Sequence, residues 1–244
     1  LFVNRNASPS WIIRLRWNAS ASICKEVDAH MLDFQGEILM RADHSLPSET
    51  IPRNFGKIAF DIVLSVLLLA PLAIVAIVLI AANPFFNAGP LVFRQVRMGQ
   101  GCQPFTAFKF RTMAEDRQNR RGAFDALESH RITDLGRFLR KMRLDELPQI
   151  INILRGEMSL IGPRPDSYDH ACVYLKQIPN YAMRHKTVPG ISGFAQTEVG
   201  YVDGLDGIVR KVNADLYYLK HASFRFDMWI AWRTVCVVLG CKGT

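Results

Sequence analysis

The sequence offers little from which to build a metal cage or a disulfide framework. It has 244 residues and five cysteines: Cys24, Cys102, Cys172, Cys236 and Cys241. None forms a Cys-x-x-Cys pair or a Cys/His set with zinc spacing. An odd, unpatterned count suits a reducing compartment and mostly buried thiols. The six histidines show no His-Glu-x-x-His spacing, and His185, between Arg184 and Lys186, reads as part of a basic surface. No Gly-x-x-x-x-Gly-Lys-Ser/Thr loop is present, which disfavours a P-loop nucleotidase, and Gly-x-Gly-x-x-Gly is absent too. No cleavable signal peptide is evident, since the first residues lack a continuous apolar core. Internal repeats and low-complexity tracts are also missing. Acidic residues are in the minority, 22 against 30 lysines and arginines, a net charge of +8. That excess suggests an anionic partner such as nucleic acid, a phosphate-rich ligand or an anionic membrane, with a solvated basic surface as the plainer alternative.

Long hydrophobic runs are scarce, and the single exception is informative. Ile62 to Ala82 is free of charge for 21 residues. As a helix it would extend about 32 Å, enough to cross a bilayer core. Pro71 lies in its middle, where it removes a backbone hydrogen bond and bends a helix. Ser65 is placed to bond a carbonyl freed nearby. Both flanks are basic: Arg53 and Lys57 before, Arg94, Arg97, Lys109 and Arg111 after. Positive charge marks the cytoplasmic side. From the residues alone two topologies stand, a kinked span and a re-entrant segment that leaves by the face it entered. The apolar stretch 224–240 carries Arg225, Asp227 and Arg233 beside Trp229 and Trp232. It suits either an interfacial helix or a core helix.

The remaining pattern is mainly helical with some strand. Residues 91–113 alternate around Gly99, Gly101 and Pro104 as a hairpin, with Lys109 and Arg111 on one face and Phe108 and Phe110 on the other. Residues 132–142 form a short helix capped by Thr133 or Asp134. Residues 145–156 have helical spacing that ends at Gly156. Residues 167–186 are helical up to a turn near Pro179, 188–200 read as a glycine-punctuated loop, and 206–222 as a helix. Three parts follow: an N-terminal extension of unknown role (1–55), the membrane segment (56–86) and a C-terminal domain (87–244).

Asp145 and Glu146 are the centre of interest. Adjacent carboxylates repel, yet these open a predicted helix among arginines. With Asp145 as N-cap they would sit at the positive end of a helix dipole, which also attracts phosphate. A plain capping aspartate is the simpler possibility. The neighbours weigh against it: Arg140 and Arg143 just before, Arg164 after, and Lys109 and Arg111 from the hairpin. Arginine forks bind phosphate oxygens. Carboxylates among arginines suit a magnesium-bridged diphosphate, with one carboxylate free to attack phosphorus.

The motif order is specific: a broken hydrophobic segment, then "GPLVFRQVRMG", "FKFRTM", "LRKMRLDELPQIINILRGEMSLIGPRP", "VPGISGFAQ" and "DLYYLKHASFRFD". Over roughly residues 55–240 it closely resembles the bacterial sugar transferase family, monotopic polyprenyl-phosphate phosphoglycosyl transferases. The resemblance implies a mainly α, α/β fold: one re-entrant helix-break-helix, broken at Ser65 and Pro71, on a small cytoplasmic domain with interfacial amphipathic helices. It implies transfer of a hexose 1-phosphate from a UDP-sugar to undecaprenyl phosphate with release of UMP, at the cytoplasmic face of the bacterial inner membrane. Asp145 would form a phosphosugar-aspartate intermediate and Glu146 would bind magnesium. Lys109, Arg111, Arg140, Arg164 and Gln196 would contact substrate. The expected partners are the two substrates and the lipid bilayer, with a homodimer compatible and nucleic acid excluded. The sequence departs from the family at Ile191-Ser192 and at Met142-Arg143, where the family has threonine or serine. The non-enzymatic alternative is a basic membrane-bound scaffold, which leaves the Asp-Glu-Leu-Pro-Gln block unexplained.

Overall fold

A computed structural model of the chain describes residues 50–51, 53–86, 89–114, 122–125, 128–200 and 202–240. These lie within one compact unit that runs from Arg41 onward. Most of the N-terminal extension, with Cys24, and also Cys241, fall outside the described residues.

The apolar run forms helix α1, Phe55–Phe86. Its stretch Phe55–Asn83 is long and apolar enough to cross a membrane. Among the described residues it is alone in this. Its sides differ sharply. Lys57, Asp61, Ser65 and Leu79 are buried, while Ile62, Val63, Val66, Leu67, Ile74, Ile77, Val78 and Ile80 are exposed. The buried positions recur at helical spacing, so one stripe of α1 packs on the protein and the rest is bare hydrocarbon. The expected break is not seen. The helix runs continuously through Pro71, which lies on the exposed side, and Ser65 is fully buried. Proline deletes one hydrogen bond, and the packing of the buried stripe supports the helix on both sides of it.

Polar groups fix the start of α1. Lys57 Nζ donates to the Asp227 carboxylate at 2.7 Å, to Ile161 O at 2.8 Å and to Tyr218 Oη at 3.2 Å. Leu160 N donates to Asp61 Oδ1 at 3.0 Å. Towards its far end, Leu79 joins a cluster with Phe110 and Leu139, flanked by Leu72, Val75 and Leu147. Both halves of α1 therefore rest on the same domain.

Strands β1 (Val92–Met98) and β2 (Pro104–Phe110) pair as the expected antiparallel hairpin, from Val92 opposite Phe110 to Met98 opposite Pro104. Helix α2, Asp134–Lys141, starts at Thr133, whose Oγ1 accepts from Gly136 N at 3.0 Å. A 3-10 helix, Leu144–Gln149, leads into α3, Ile150–Leu154, and Gly156 closes it with φ 78°. β3 (Ser159–Ile161) pairs in parallel with β4 (Gly190–Ser192). Between them run α4, Tyr168–Gln177, and a second 3-10 helix, Tyr181–Lys186. Residues 188–200, expected as loop, contain β4 and the short α5, Phe194–Glu198. Helices α6, Gly204–His221, and α7, Phe224–Leu239, complete the unit. Met98, Tyr174, Ile178, Tyr181 and Val212 form the main core.

Two further expectations need correction. His185 is buried, with Nδ1 against Gly99 O at 3.0 Å, not on a basic surface. Burial and the Arg184 charge push it down to about 3, so it stays neutral. Among the described residues the thiols are not mostly buried either: Cys102 and Cys172 are half-buried and Cys236 is exposed.

Candidate active site

Helix α2 ends because Arg143 turns left-handed, with φ 56° and ψ 17°. That turn resets the chain, and Leu144–Gln149 starts afresh as a 3-10 helix. Pro148, the fifth of its six residues, has no amide to donate and lies just before α3 begins. The residue flanking the turn is therefore Arg143, and no side chain caps it. Asp145 is not the N-cap expected from the sequence. It lies in the first turn beside Glu146, and each is only 6% exposed.

The two neighbouring carboxylates have different surroundings. Glu146 is fully engaged. Arg164 grips it with both guanidinium nitrogens, Nη2 to Oε1 and Nη1 to Oε2, the latter at 3.2 Å. Lys109 Nζ adds a bond to Oε1 at 3.1 Å. Asp145 Oδ1, in contrast, has no hydrogen-bond partner among the described residues. Burial and the Glu146 charge raise the Asp145 carboxyl above its ordinary value, against the pull of Lys109, Arg164 and Arg140. Burial also disfavours a charged Glu146, but Arg164 and Lys109 outweigh it and hold that carboxyl well below the usual range. Burial lowers Lys109 to about 7; Glu146 resists, and Arg164 and Arg97 add to the fall.

Arg164 is positioned from several sides. Gly162 N donates to Ser192 O at 2.9 Å, and Gly190 N to Pro163 O at 3.0 Å. A Cβ on Gly190 would meet Gly162 N at 2.1 Å, so this approach requires glycine. Arg164 Nη1 donates to Ile191 O at 3.0 Å. Arg97 holds Pro165 O at 2.5 Å, and Arg184 holds Arg164 O at 2.7 Å. Arg184 is itself buried against Asp166 and Asp215, and Lys211 pairs with Asp166.

The other expected residues divide. Arg140 Nε donates to Thr112 Oγ1 at 2.9 Å, and its charge acts on Asp145. Gln196 shares a cavity wall with Glu146, and its Oε1 is buried with no partner among the described residues. The described contacts of Arg111 lead elsewhere: Nε donates to Met113 O at 3.2 Å, and its guanidinium covers Gly89. Ser65 and Pro71 contribute no described contact to the dyad. Sequence reasoning missed Arg97, Asp166, Arg184, Lys211 and Asp215. Arg97, between Val96 and Met98, and Asp215, between Ala214 and Leu216, carry an advance signal as charges among apolar residues; Asp166, Arg184 and Lys211 have polar neighbours and carry none.

The model of the bacterial sugar transferase family matches residues 52–241. An N-acetylgalactosaminephosphotransferase acting on UDP-N-acetylgalactosamine and undecaprenyl phosphate, from Aeromonas hydrophila, is 38% identical over 188 residues, 76% of this chain and 44% of that protein. The Escherichia coli (strain K12) UDP-glucose:undecaprenyl-phosphate glucose-1-phosphate transferase is 39% identical over 181 residues, 73% of this chain and 39% of that protein. An uncharacterized sugar transferase, EpsL, of Bacillus subtilis (strain 168) is 35% identical over 189 residues, 77% of this chain and 89% of that protein. The chain thus spans less than half the length of the first two relatives.

Proposed function

The chain belongs to the bacterial sugar transferase family, and we propose that it transfers a hexose 1-phosphate from a UDP-sugar to undecaprenyl phosphate, releasing UMP. The names of its relatives support this substrate pair. The observation that carries the chemistry is the contrast between the two carboxylates. Glu146 is tied to Arg164 and Lys109, whereas Asp145 keeps a partnerless oxygen amid the same positive charge.

In the proposed first step, that oxygen attacks the sugar-bearing phosphorus of the UDP-sugar. A P–O bond to Asp145 forms, the bond to the bridging oxygen breaks, and UMP leaves with the electron pair. In the second step an oxygen of the lipid phosphate attacks the same phosphorus. The bond to Asp145 breaks, and the carboxylate is restored. Burial leaves Asp145 poorly solvated and reactive. Lys109, Arg140 and Arg164 neutralise the phosphates and orient them for in-line attack. In the structure both Glu146 oxygens are taken by Arg164 and Lys109; Glu146, with substrate phosphates, would hold magnesium once a bound diphosphate draws those cations onto its own oxygens. When bound, the ion supplies charge stabilisation for the departing UMP.

The proposed membrane placement rests on α1. Lys57 at its start and Leu79 near its end both rest on one domain, while its outer side is bare hydrocarbon. This favours a monotopic helix that stays within one leaflet, with both of its ends on one face. The basic flanks favour the cytoplasmic face of the inner membrane. A scaffold would have no use for a buried, partly unpaired carboxylate dyad. Purified protein in detergent, given magnesium, undecaprenyl phosphate and a panel of UDP-sugars, should release UMP with at least one sugar. Absence of UMP with every member would contradict the reading.

A further inference from the structure

The hairpin that carries Lys109 to Glu146 has a second face. Register and alternation put Val92, Arg94 and Val96 of β1 on it, opposite Phe110, Phe108 and Thr106 of β2. Phe110 is buried, but Val92, Arg94, Val96 and Thr106 are exposed. The Arg94 guanidinium lies over the Phe108 ring, 6.0 Å from its centre. The exposed Arg155, which follows α3, lies over the same ring at 5.1 Å. A ring face attracts a cation but gives the guanidinium N–H groups no oxygen. No carboxylate answers either. β1 and β2 contain none, and Glu157 is held by Asn152 Nδ2 at 2.7 Å. Among the described residues neither arginine forms an ion pair. Two like charges thus share one aromatic ring at the surface with no counter-charge between them.

The patch lies between the two ends of α1. Arg53, just before the helix, donates to Met158 O at 3.5 Å, and its Nη2 comes within 3.9 Å of the Cβ site of Gly156, the residue after Arg155. Leu79, towards the far end, packs in one cluster with Phe110, on the same strand face as Phe108. We propose that this face docks the headgroup of an anionic phospholipid, its phosphate held by the Arg94 and Arg155 forks. The inference rests on the proposed membrane placement of α1, which sets both of its ends, and so this patch, at one face of the bilayer. Charge fits, because guanidinium forks match phosphate oxygens. The rim fits a lipid better than a soluble anion. Exposed Val92 and Val96 stand either side of Arg94 on the strand face, and exposed Leu154 precedes Arg155. A free phosphate or a nucleic acid gains nothing from these side chains, whereas the upper part of an acyl chain covers them. The opposite face of the same hairpin presents Lys109 to Glu146, so a headgroup held here sets the height of the dyad above the bilayer.

The test is native mass spectrometry of the unaltered full chain in detergent, given equal amounts of phosphatidylglycerol and phosphatidylcholine with the same acyl chains. Phosphatidylglycerol should be retained roughly tenfold more, in keeping with about fivefold for each cation at a lipid surface. Arg94→Gln combined with Arg155→Gln should bring the ratio close to one. Lys176→Gln combined with Arg210→Gln removes two exposed charges from α4 and α6 instead, and should leave the preference in place. Equal retention of the two lipids by the unaltered protein would overturn the proposal. A preference that survives in the folded Arg94/Arg155 variant, falls equally in the Lys176/Arg210 variant, or yields to inorganic phosphate alone would overturn it as well. A dimer that the Arg94/Arg155 variant splits would give the face to a second copy of the chain. A protein that stays in solution without detergent would remove the membrane placement beneath the proposal, a separate result.

Discussion

Arg164 holds Glu146 through both of its carboxylate oxygens, while Asp145, the adjacent residue in the chain, keeps a carboxylate oxygen without a partner. One carboxylate is thus committed to charge pairing and its neighbour is left for chemistry. The fork geometry, and not charge alone, should matter. Arg164→Lys keeps the charge and loses the second bond. It should lower kcat/KM at least about tenfold, or about 1.4 kcal/mol, when UMP release is followed at limiting UDP-sugar. A variant with unaltered kcat/KM would show that the fork is dispensable.

In the proposed mechanism Asp145 must be ionised to attack. Its carboxyl is raised by burial and by Glu146, so activity should fall away on acidification at a higher pH than an ordinary aspartate would give. Glu146→Gln removes the like charge. The acid limb of the residual activity should then shift to lower pH, even though the rate itself drops. An acid limb that stays in place or moves upward would argue that another group controls it.

Burial, with the charges of Arg164 and Arg97, pushes Lys109 down to about 7 in the free protein. It is therefore largely neutral at pH 8, and a bound anionic diphosphate should raise it. UDP-sugar binding at pH 8 should take up protons, seen as a dependence of calorimetric enthalpy on the ionisation enthalpy of the buffer. The uptake should vanish in Lys109→Arg, which is charged throughout, and should shrink as pH falls below 7. Proton release, or no exchange in the unaltered protein, would rule out this assignment.

The buried pair Lys57–Asp227, joined by Tyr218, attaches the start of α1 to α7. Its removal should be felt as stability. Asp227→Ala leaves a buried lysine without its partner, which costs about 3 kcal/mol. Thermal unfolding in detergent should show a clear drop in Tm, and Asp227→Asn a smaller one, because the amide oxygen still accepts from Lys57 while the amide nitrogen donates to Tyr218 Oη. Equal midpoints for all three proteins would mean that the pair is not needed to hold α1.

The hairpin, the Thr133 cap and the Gly156 stop could be read from local sequence because each depends on residues a few positions apart. The dyad was legible for the same reason. Its backbone was not: the left-handed Arg143 converts an expected helix start into a 3-10 turn, and nothing in Met142-Arg143-Leu144 announces that. The network that positions Arg164 was hidden because Asp166, Arg184 and Asp215 meet only after the chain has folded back through α4 and α6. His185 misled for a related reason. Its charged neighbours in sequence suggested a surface, while the fold turns it inward onto Gly99.

The most direct test of covalent transfer is the mass of the intact protein after incubation with a UDP-sugar and magnesium but no lipid. A covalent mechanism predicts a gain of one hexose phosphate, mapped to Asp145, with stoichiometric UMP release and no gain in Asp145→Asn. Adding undecaprenyl phosphate should then discharge the adduct. A protein that turns over normally yet never gains this mass, with kinetics that require both substrates bound together, would contradict the covalent role of Asp145 and leave direct transfer in its place.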